Sequence, residues 1–454
     1  MSHRSNRTVA LTTLGCKVNQ ADSDEWLRQF VDRGYDIVDF DQPADAYVVN
    51  TCTVTHVADR KSRQVLRQAR RQNPAALVVA AGCYASVAPA DLAGMPEVNL
   101  VVGDADKNRL VDLVHEHLEG DDERPLEAQA GELFGLGPRH RAFVKISDGC
   151  NKFCAFCIVP YARGRERSTE PEQVIRKVRD LVQAGFHEVV LTAVHMGTYG
   201  HDLTPPTTLP LLVDRVLSDV PIGRLRLSSI EPEDFPREIL RLWSDPRLCR
   251  HVHLALDSGC DATLQRMRRR YRAAEYRDLV REIRAAGPDV AITTDVMVGF
   301  PGESADEFAE SCRFVEEQGF AGIHVFPYSP RRRTTAAKLP GQIDPTVKKE
   351  RAATMLAIAE RSARRFQESF IGQTVSVLFE GATIGFDGLT RWDGLTDNYL
   401  RVRATCPGDL ANRVFPVRLR AVSGEIVDGD VLGPIPPTTD RKQGGRIPLT
   451  AVSR

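Results

Sequence analysis

Hydrophobic and polar positions along the chain repeat with two periods. Runs such as AYVVN (46–50), ALVVAAG (76–82) and NLVVG (99–103) are short and apolar throughout, and they alternate with helical patterns at 22–33 and 57–72. Short strands buried on both faces and separated by helices predict a parallel sheet, so residues 1–120 read as a small doubly wound α/β domain. From 141 the alternation continues, with strands expected at 142–147, 188–193, 224–229, 252–256, 290–298 and 322–328. Helical patterns fall between them, which predicts a partial (β/α)6 barrel with its chemistry at the carboxyl ends of the strands; a doubly wound sheet is the alternative. After a charged helix at 346–370, short β runs at 374–379, 399–404 and 415–422 predict a small OB-like β-barrel. The domains expected are thus 1–120, 136–368 and 369–434. An acidic stretch at 116–138 reads as linker, and 435–454, built of Pro, Gly and charge, as a mobile tail.

Composition narrows the class. With 42% hydrophobic and 27% charged residues the chain is a globular protein, neither fibrous nor disordered. No apolar run approaches the roughly 20 residues of a spanning helix, and the first residues lack a secretory pattern, so a cytoplasmic protein is expected. Lys and Arg number 60 against 61 Asp and Glu, so nucleic acid would have to be met by local basic faces rather than by overall charge. Arg60, Lys61, Arg63, Arg67, Arg70 and Arg71 offer one, four of them (Arg60, Arg63, Arg67, Arg70) on a single helical face. Arg163, Arg165 and Arg167, then Arg268, Arg269, Arg270 and Arg272, and Arg331, Arg332 and Arg333 offer others. In the β domain, Trp392, Tyr399 and Phe415 are stacking candidates, although core burial is the commoner use of such residues.

The 10 cysteines are too sparse for a disulfide framework, so their spacing carries the information. Cys150, Cys154 and Cys157 form C-x3-C-x2-C in the loop after the first barrel strand. Three thiolates there can hold three irons of a cubane cluster and leave the fourth open to substrate; a structural zinc site would want a fourth ligand. Cys16, Cys52 and Cys83 each follow a strand of the first domain, in LGCKVNQ (14–20), NTCTVT (50–55) and AGCY (81–84), where open α/β sheets gather ligands. Their separations alone fit buried core cysteines equally well. Cys249, Cys260, Cys312 and Cys406 show no ligand spacing and read as small buried hydrophobes.

The first triplet, with Phe156 before its last cysteine, resembles the signature of radical S-adenosylmethionine (SAM) enzymes, and the second set resembles the N-terminal domain of their methylthiotransferase branch. The resemblance spans nearly the whole chain, since the β domain is similar to a TRAM domain, a small RNA-binding barrel. It implies two 4Fe-4S clusters, one on Cys150, Cys154 and Cys157 and one on Cys16, Cys52 and Cys83, together with SAM and a reductant such as flavodoxin or ferredoxin. One SAM would methylate a sulfur at the second cluster and another would yield the radical at the first. The segments at 192–200, 227–234, 253–261 and 295–303 resemble those around SAM and substrate, implying Phe156, Ser229, Glu231 and Gly299 as cofactor contacts. Many relatives read HLPLQSGS where this chain has Asp257, so a carboxylate stands in place of an amide.

TLGCKVNQ at 13–20 resembles the branch acting on N6-threonylcarbamoyladenosine at position 37, in the anticodon loop of tRNA, to give its 2-methylthio derivative. Relatives acting on isopentenyladenosine tend to read GCQMN there, and those modifying a ribosomal protein GCPKN. Lys17 would suit a carboxylated base, because charge-assisted bonding favours an anion. The rival from another class is a non-catalytic, metal-bound RNA-binding protein, and metal identity separates the two.

Overall fold

The computed structural model describes residues 7–119, 141–385 and 387–434. In the first domain, parallel strands Thr8–Thr13, Asp36–Val38, Ala46–Thr51, Leu77–Gly82 and Leu100–Val102 lie in the order second, first, third, fourth, fifth. Successive side chains take opposite faces: Val9, Val48 and Val79 pack under the helices Lys17–Asp32 and Leu110–Glu119, while Ala10, Tyr47, Val49 and Val78 pack under His56–Gln72. The order reverses between the first and third strands, and this is the switch point at which doubly wound sheets bind ligands. Cys16 and Cys52 follow those two strands, and Cys83 follows the fourth.

Six parallel strands then run in sequence: Arg141–Lys145, Glu188–Thr192, Arg224–Leu227, His251–Leu254, Ala291–Val298 and Gly322–Pro327. The first three form one sheet; the last three form another together with the short strand Ser229–Ile230, which follows the third strand and pairs in parallel with His251–Leu254, and a bridge between Leu225 and Leu248 also links the two sheets. A sequential order without reversal is that of a partial barrel, which removes the doubly wound alternative for this region. The strands alternate strictly: Ala142, Val144, Val189, Leu191, Leu225, Val252, Leu254, Ile292, Val296, Ile323 and Val325 pack outward against the helices in one core. Arg141, Lys145, Glu188, Arg226, His251, His253, Asp295 and His324 occupy the opposite positions and therefore face the lumen.

Strands Thr374–Ile384, Thr390–Thr396, Arg401–Thr405, Val414–Ser423 and Ile426–Val431 close into a five-stranded barrel with one parallel pair. It docks at the amino ends of the central strands. Arg224 donates to the carbonyls of Leu395 (2.9 Å) and Ser376 (2.8 Å), and Arg226 to those of Asp397 (2.8 Å) and Thr396 (3.0 Å). Trp392 sits in the core of this barrel, with Phe415 packed against it. Tyr399 is neither core nor an open stacking platform: it stacks on His251 at 4.2 Å between centroids, with the Arg226 guanidinium 5.2 Å from its ring.

The expected linker at 116–138 is corrected at its start, where Leu110–Glu119 is helical; the remainder, like the expected tail at 435–454, lies outside the described residues. Among the described residues no helix is long and apolar enough to cross a membrane.

Candidate active site between two cysteine triplets

Cys150, Cys154 and Cys157 lie in the loop leaving the first barrel strand. Gly149, at φ +75°, makes that loop possible, because a Cβ there would fall 2.0 Å from the Arg165 carbonyl oxygen. The Lys152 N–H donates to Cys150 Sγ at 3.4 Å. Burial pushes all three thiols up, Cys154 to about 11, and each of the three sulfurs is felt by Glu231. Arg269 opposes this at Cys154, with Nη1 3.4 Å from the sulfur. Its Nη2 donates to Glu231 at 2.7 Å, and its Nε lies 2.6 Å from Asp257 Oδ2. Asp257 sits at φ +59° and is fully enclosed; burial, only partly offset by Arg269, pushes its carboxyl up to about 6.

Of the residues expected around the cofactor, Phe156 lies in the cysteine loop and Glu231 beside it. Glu231 is bound to Arg269, and the Ser229 hydroxyl lies 3.0 Å from His253 Nδ1. Phe156 meets Phe300 edge-on in a small apolar cluster with Ala155 and Met297. Gly299, just before Phe300, gives its N–H to Glu303 at 2.7 Å and runs so close to Lys348 that a Cβ would meet that side chain at 2.4 Å.

In the first domain, Gly15 (φ +95°) has room only for hydrogen, since a Cβ would lie 2.9 Å from both Cβ and Sγ of Cys52. Asn19 holds the set together: Nδ2 donates to the carbonyls of Leu14 (2.8 Å) and Thr51 (3.1 Å), and Oδ1 lies 3.7 Å from Cys83 Sγ. Burial raises the Cys83 thiol to about 12 and raises Cys52 as well; Cys16 and Cys52 add to the rise at Cys83, and Cys16 adds to that at Cys52.

Thiols this hard to ionise need a cation to become thiolates, and a metal centre provides it. Three sulfurs on one zinc at 2.3 Å would be about 3.8 Å apart. Among the described residues the one group of three possible ligands within 4.8 Å of each other is His253, Asp295 and His324, so neither cysteine triplet is drawn in around a single ion. Three thiols in each set match the ligand number of a 4Fe-4S cluster whose fourth iron would lack a protein ligand.

Several expected basic surfaces turn out to be interior. Arg163 is buried, donating to both oxygens of Asp148 (2.8 and 3.0 Å) and, across the domain boundary, to Asp22 (2.9 Å) and Asn19 Oδ1 (2.5 Å). Arg331 is buried too and reaches Thr53 Oγ1 and Asp59 Oδ2, both at 2.7 Å, beside Cys52. Arg269 is the residue described above. A charged residue close to a domain boundary or cluster loop had acidic partners that are distant in sequence, which is why charge runs misassigned these three. On the helix His56–Gln72, Arg63 turns to the Tyr84 hydroxyl (2.6 Å) and Arg70 to the carbonyls of Pro74 (2.7 Å) and Ala76 (2.9 Å). Arg60, Lys61, Arg67 and Arg71 remain exposed, as do Arg165, Arg167, Arg268, Arg270, Arg272, Arg332 and Arg333. Lumen residues His253, Asp295 and His324 were missed as a group, although the alternation in HVHL, TTDVMV and GIHVFP carried the signal.

Comparison with known proteins agrees with this division. Residues 8–103 match the Uncharacterized protein family UPF0004 and residues 144–315 the Radical SAM superfamily. Over 91% of this chain and 93% of the relative, the sequence is 36% identical to threonylcarbamoyladenosine tRNA methylthiotransferase MtaB of Bacillus subtilis. A protein of the same description from Aquifex aeolicus is 39% identical over 82% of this chain and 92% of its own. The tRNA-2-methylthio-N(6)-dimethylallyladenosine synthase of Moorella thermoacetica is 34% identical over 94% of this chain and 100% of its own. A solved structure of the radical SAM methyltransferase TsrM from Kitasatospora setae, with cobalamin and a 4Fe-4S cluster bound, shares the fold (TM-score 0.50, 17% identity, 72% of this chain and 77% of that one). A fold shared with one class of radical enzyme and a sequence shared end to end with another leave one assignment: this chain belongs to the radical SAM tRNA methylthiotransferase family.

Proposed function

We propose that the protein converts N6-threonylcarbamoyladenosine at position 37, in the anticodon loop of tRNA, to its 2-methylthio derivative, in the cytoplasm and with flavodoxin or ferredoxin as reductant. The observation that carries this reading is the pair of buried arginines that tie the two cysteine-bearing domains together: Arg163, just after the barrel's cysteine loop, bonds Asp22 and Asn19, and Arg331, just after the last barrel strand, bonds Thr53 and Asp59 beside Cys52. A reaction that joins sulfur to a carbon activated elsewhere needs two centres at a fixed separation, and proximity of this kind is worth several orders of magnitude in rate.

When bound, the two 4Fe-4S clusters and SAM supply the carbon-centred radical and the methylated sulfur. The protein's own residues hold, orient and enclose. Cys150, Cys154 and Cys157 would hold one cluster, and Cys16, Cys52 and Cys83 the other. Arg269 neutralises charge at Cys154 and orients Glu231, which with Ser229, Phe156 and Gly299 would line the SAM site. The terminal barrel, docked through Arg224 and Arg226, closes the amino end of the lumen, so the substrate base enters from the cysteine side. An anticodon-loop base is already partly unpaired, so turning it into the lumen costs little. The exposed arginines near the cluster loop, Arg165, Arg167, Arg268 and Arg270, would meet its phosphates, together with the TRAM-like barrel.

The test is anaerobic turnover of tRNA carrying threonylcarbamoyladenosine or isopentenyladenosine, with nucleosides analysed by mass spectrometry. A gain of a methylthio group on the carboxylated base is expected. Product on the isopentenyl base alone would move the protein to the other branch of its relatives, and stoichiometric zinc without sulfide after reconstitution would sink the radical reading.

A further inference from the structure

The lumen gathers charge from all three domains, and Lys17 in it has no counter-ion among the described residues. Lys17 opens the helix Lys17–Asp32, one residue after Cys16, and is half-buried. Among the described residues it makes no hydrogen bond and no ion pair. Its surroundings are the lumen groups Tyr399, Arg141, Arg226 and Glu188, and its charge also reaches His324. The anions nearby are already engaged. Glu188 binds Arg226 at 2.6 and 3.1 Å, Glu380 pairs with Arg141, and Asp295 Oδ1 lies 3.3 Å from His253 Nε2 and 3.4 Å from His324 Nδ1. Partial burial of an ammonium without a counter-ion is unfavourable, and an arriving anion relieves it.

His324 supplies a second donor. Its side chain is 85% exposed; Nδ1 faces Asp295, and among the described residues Nε2 has no hydrogen-bond partner. Bonding to Asp295 favours the imidazolium form of His324. Asp295 is itself steadied by His253, whose Nδ1 meets the Ser229 hydroxyl at 3.0 Å, so Asp295 and His253 are positioning residues.

We infer that Lys17 and His324 form a carboxylate-binding site inside the barrel, one that receives the threonyl carboxylate of the substrate base and rejects apolar N6 substituents. This rests on the substrate proposed above and adds the groups that select it. A carboxylate gains charge-assisted bonds from both cations, whereas an isopentenyl group leaves Lys17 without a counter-ion and desolvates it further. Rejection thus comes from a half-buried charge left without a partner as much as from attraction to the right ligand.

The test titrates anaerobically reconstituted holoenzyme, by fluorescence anisotropy, with anticodon stem-loops carrying threonylcarbamoyladenosine, its neutral carboxamide, or isopentenyladenosine. The wild type is expected to bind the acid about tenfold to hundredfold more tightly than the amide, as loss of one or two charge-assisted bonds requires. Lys17→Gln and His324→Gln should each shrink that ratio, and Lys17→Arg should preserve most of it. Iron content is measured on every variant. If Lys17→Gln loses iron through its neighbour Cys16, the wild-type ratio and His324→Gln decide the matter. Equal binding of acid and amide by a wild type that still methylthiolates the acid overturns the site and leaves the substrate reading standing. An unchanged ratio in both Gln variants at full iron content also overturns it. Failure of the wild type to form any 2-methylthio product on the acid-bearing tRNA overturns the substrate reading itself.

Discussion

Replacing Arg163 by Met tests whether the two cysteine-bearing domains are held together by buried charge. The guanidinium is 3% exposed and makes two bonds to Asp148 within its own domain and one each to Asp22 and Asn19 of the first domain. Against the burial that would push it up, Arg163, Lys145 and Lys107 hold the Asp148 carboxyl well below the usual range. Removing one partner of a buried pair costs about 3–5 kcal/mol, because the carboxylates left behind stay desolvated. Lys145 remains bonded to both Asp22 and Asp148, so the lower end, about 3 kcal/mol, is the expected cost. That corresponds to an opening equilibrium about a hundredfold more populated. Hydrogen exchange should report it as faster exchange across Lys17–Asp32, and iron at the site proposed on Cys16, Cys52 and Cys83 should become labile. Lys in place of Arg163 should recover part of the protection, since charge is kept and the fork is lost. Less than about a threefold change in exchange over that helix, with the variant folded and full iron retained, would refute the reasoning: the domains would then be held by apolar packing instead.

Four further outcomes are expected. Arg331→Ala, which strands Asp59 and Thr53, should loosen the same boundary from its other side, seen as new protease cleavage near 53–59 in the intact chain. Arg269→Gln removes the cation beside Cys154 and should shift the midpoint of the cluster there to lower potential in a redox titration, while iron content stays constant. Because burial lifts Asp257 to about 6 from an ordinary 3.8, the folded state holds a proton between those values that the unfolded chain has released, so its stability falls as pH rises through that window. Between about pH 5 and 7 the loss is about 1 kcal/mol, and chemical denaturation of Asp257→Asn should lack that slope. Replacing Cys150, Cys154 and Cys157 together by Ala should lower reconstituted iron from about eight to about four per chain, with sulfide falling in step.

Much of the molecule is legible in the chain. Short apolar runs alternating with helical patterns marked the central strands and the order of the three domains, because burial on one or both faces is a local property of strand residues. The C-x3-C-x2-C triplet was equally local, since its three ligands share one loop and their chemistry needs no distant partner. What the chain alone could not decide is what distant residues do to one another. Arg163, Arg269 and Arg331 read as surface charge until folding set Asp148 and Asp22, Glu231 and Asp257, and Asp59 against them. Tyr399 read as core or platform until the terminal barrel carried it onto His251. Cys16, Cys52 and Cys83 became one site only because a parallel sheet lifts the ends of neighbouring strands to the same edge. Side-chain pattern and backbone propensity act over a few residues and are written in sequence order. The pairing of buried charges and the convergence of loops are set by topology, and the tertiary structure alone supplies them.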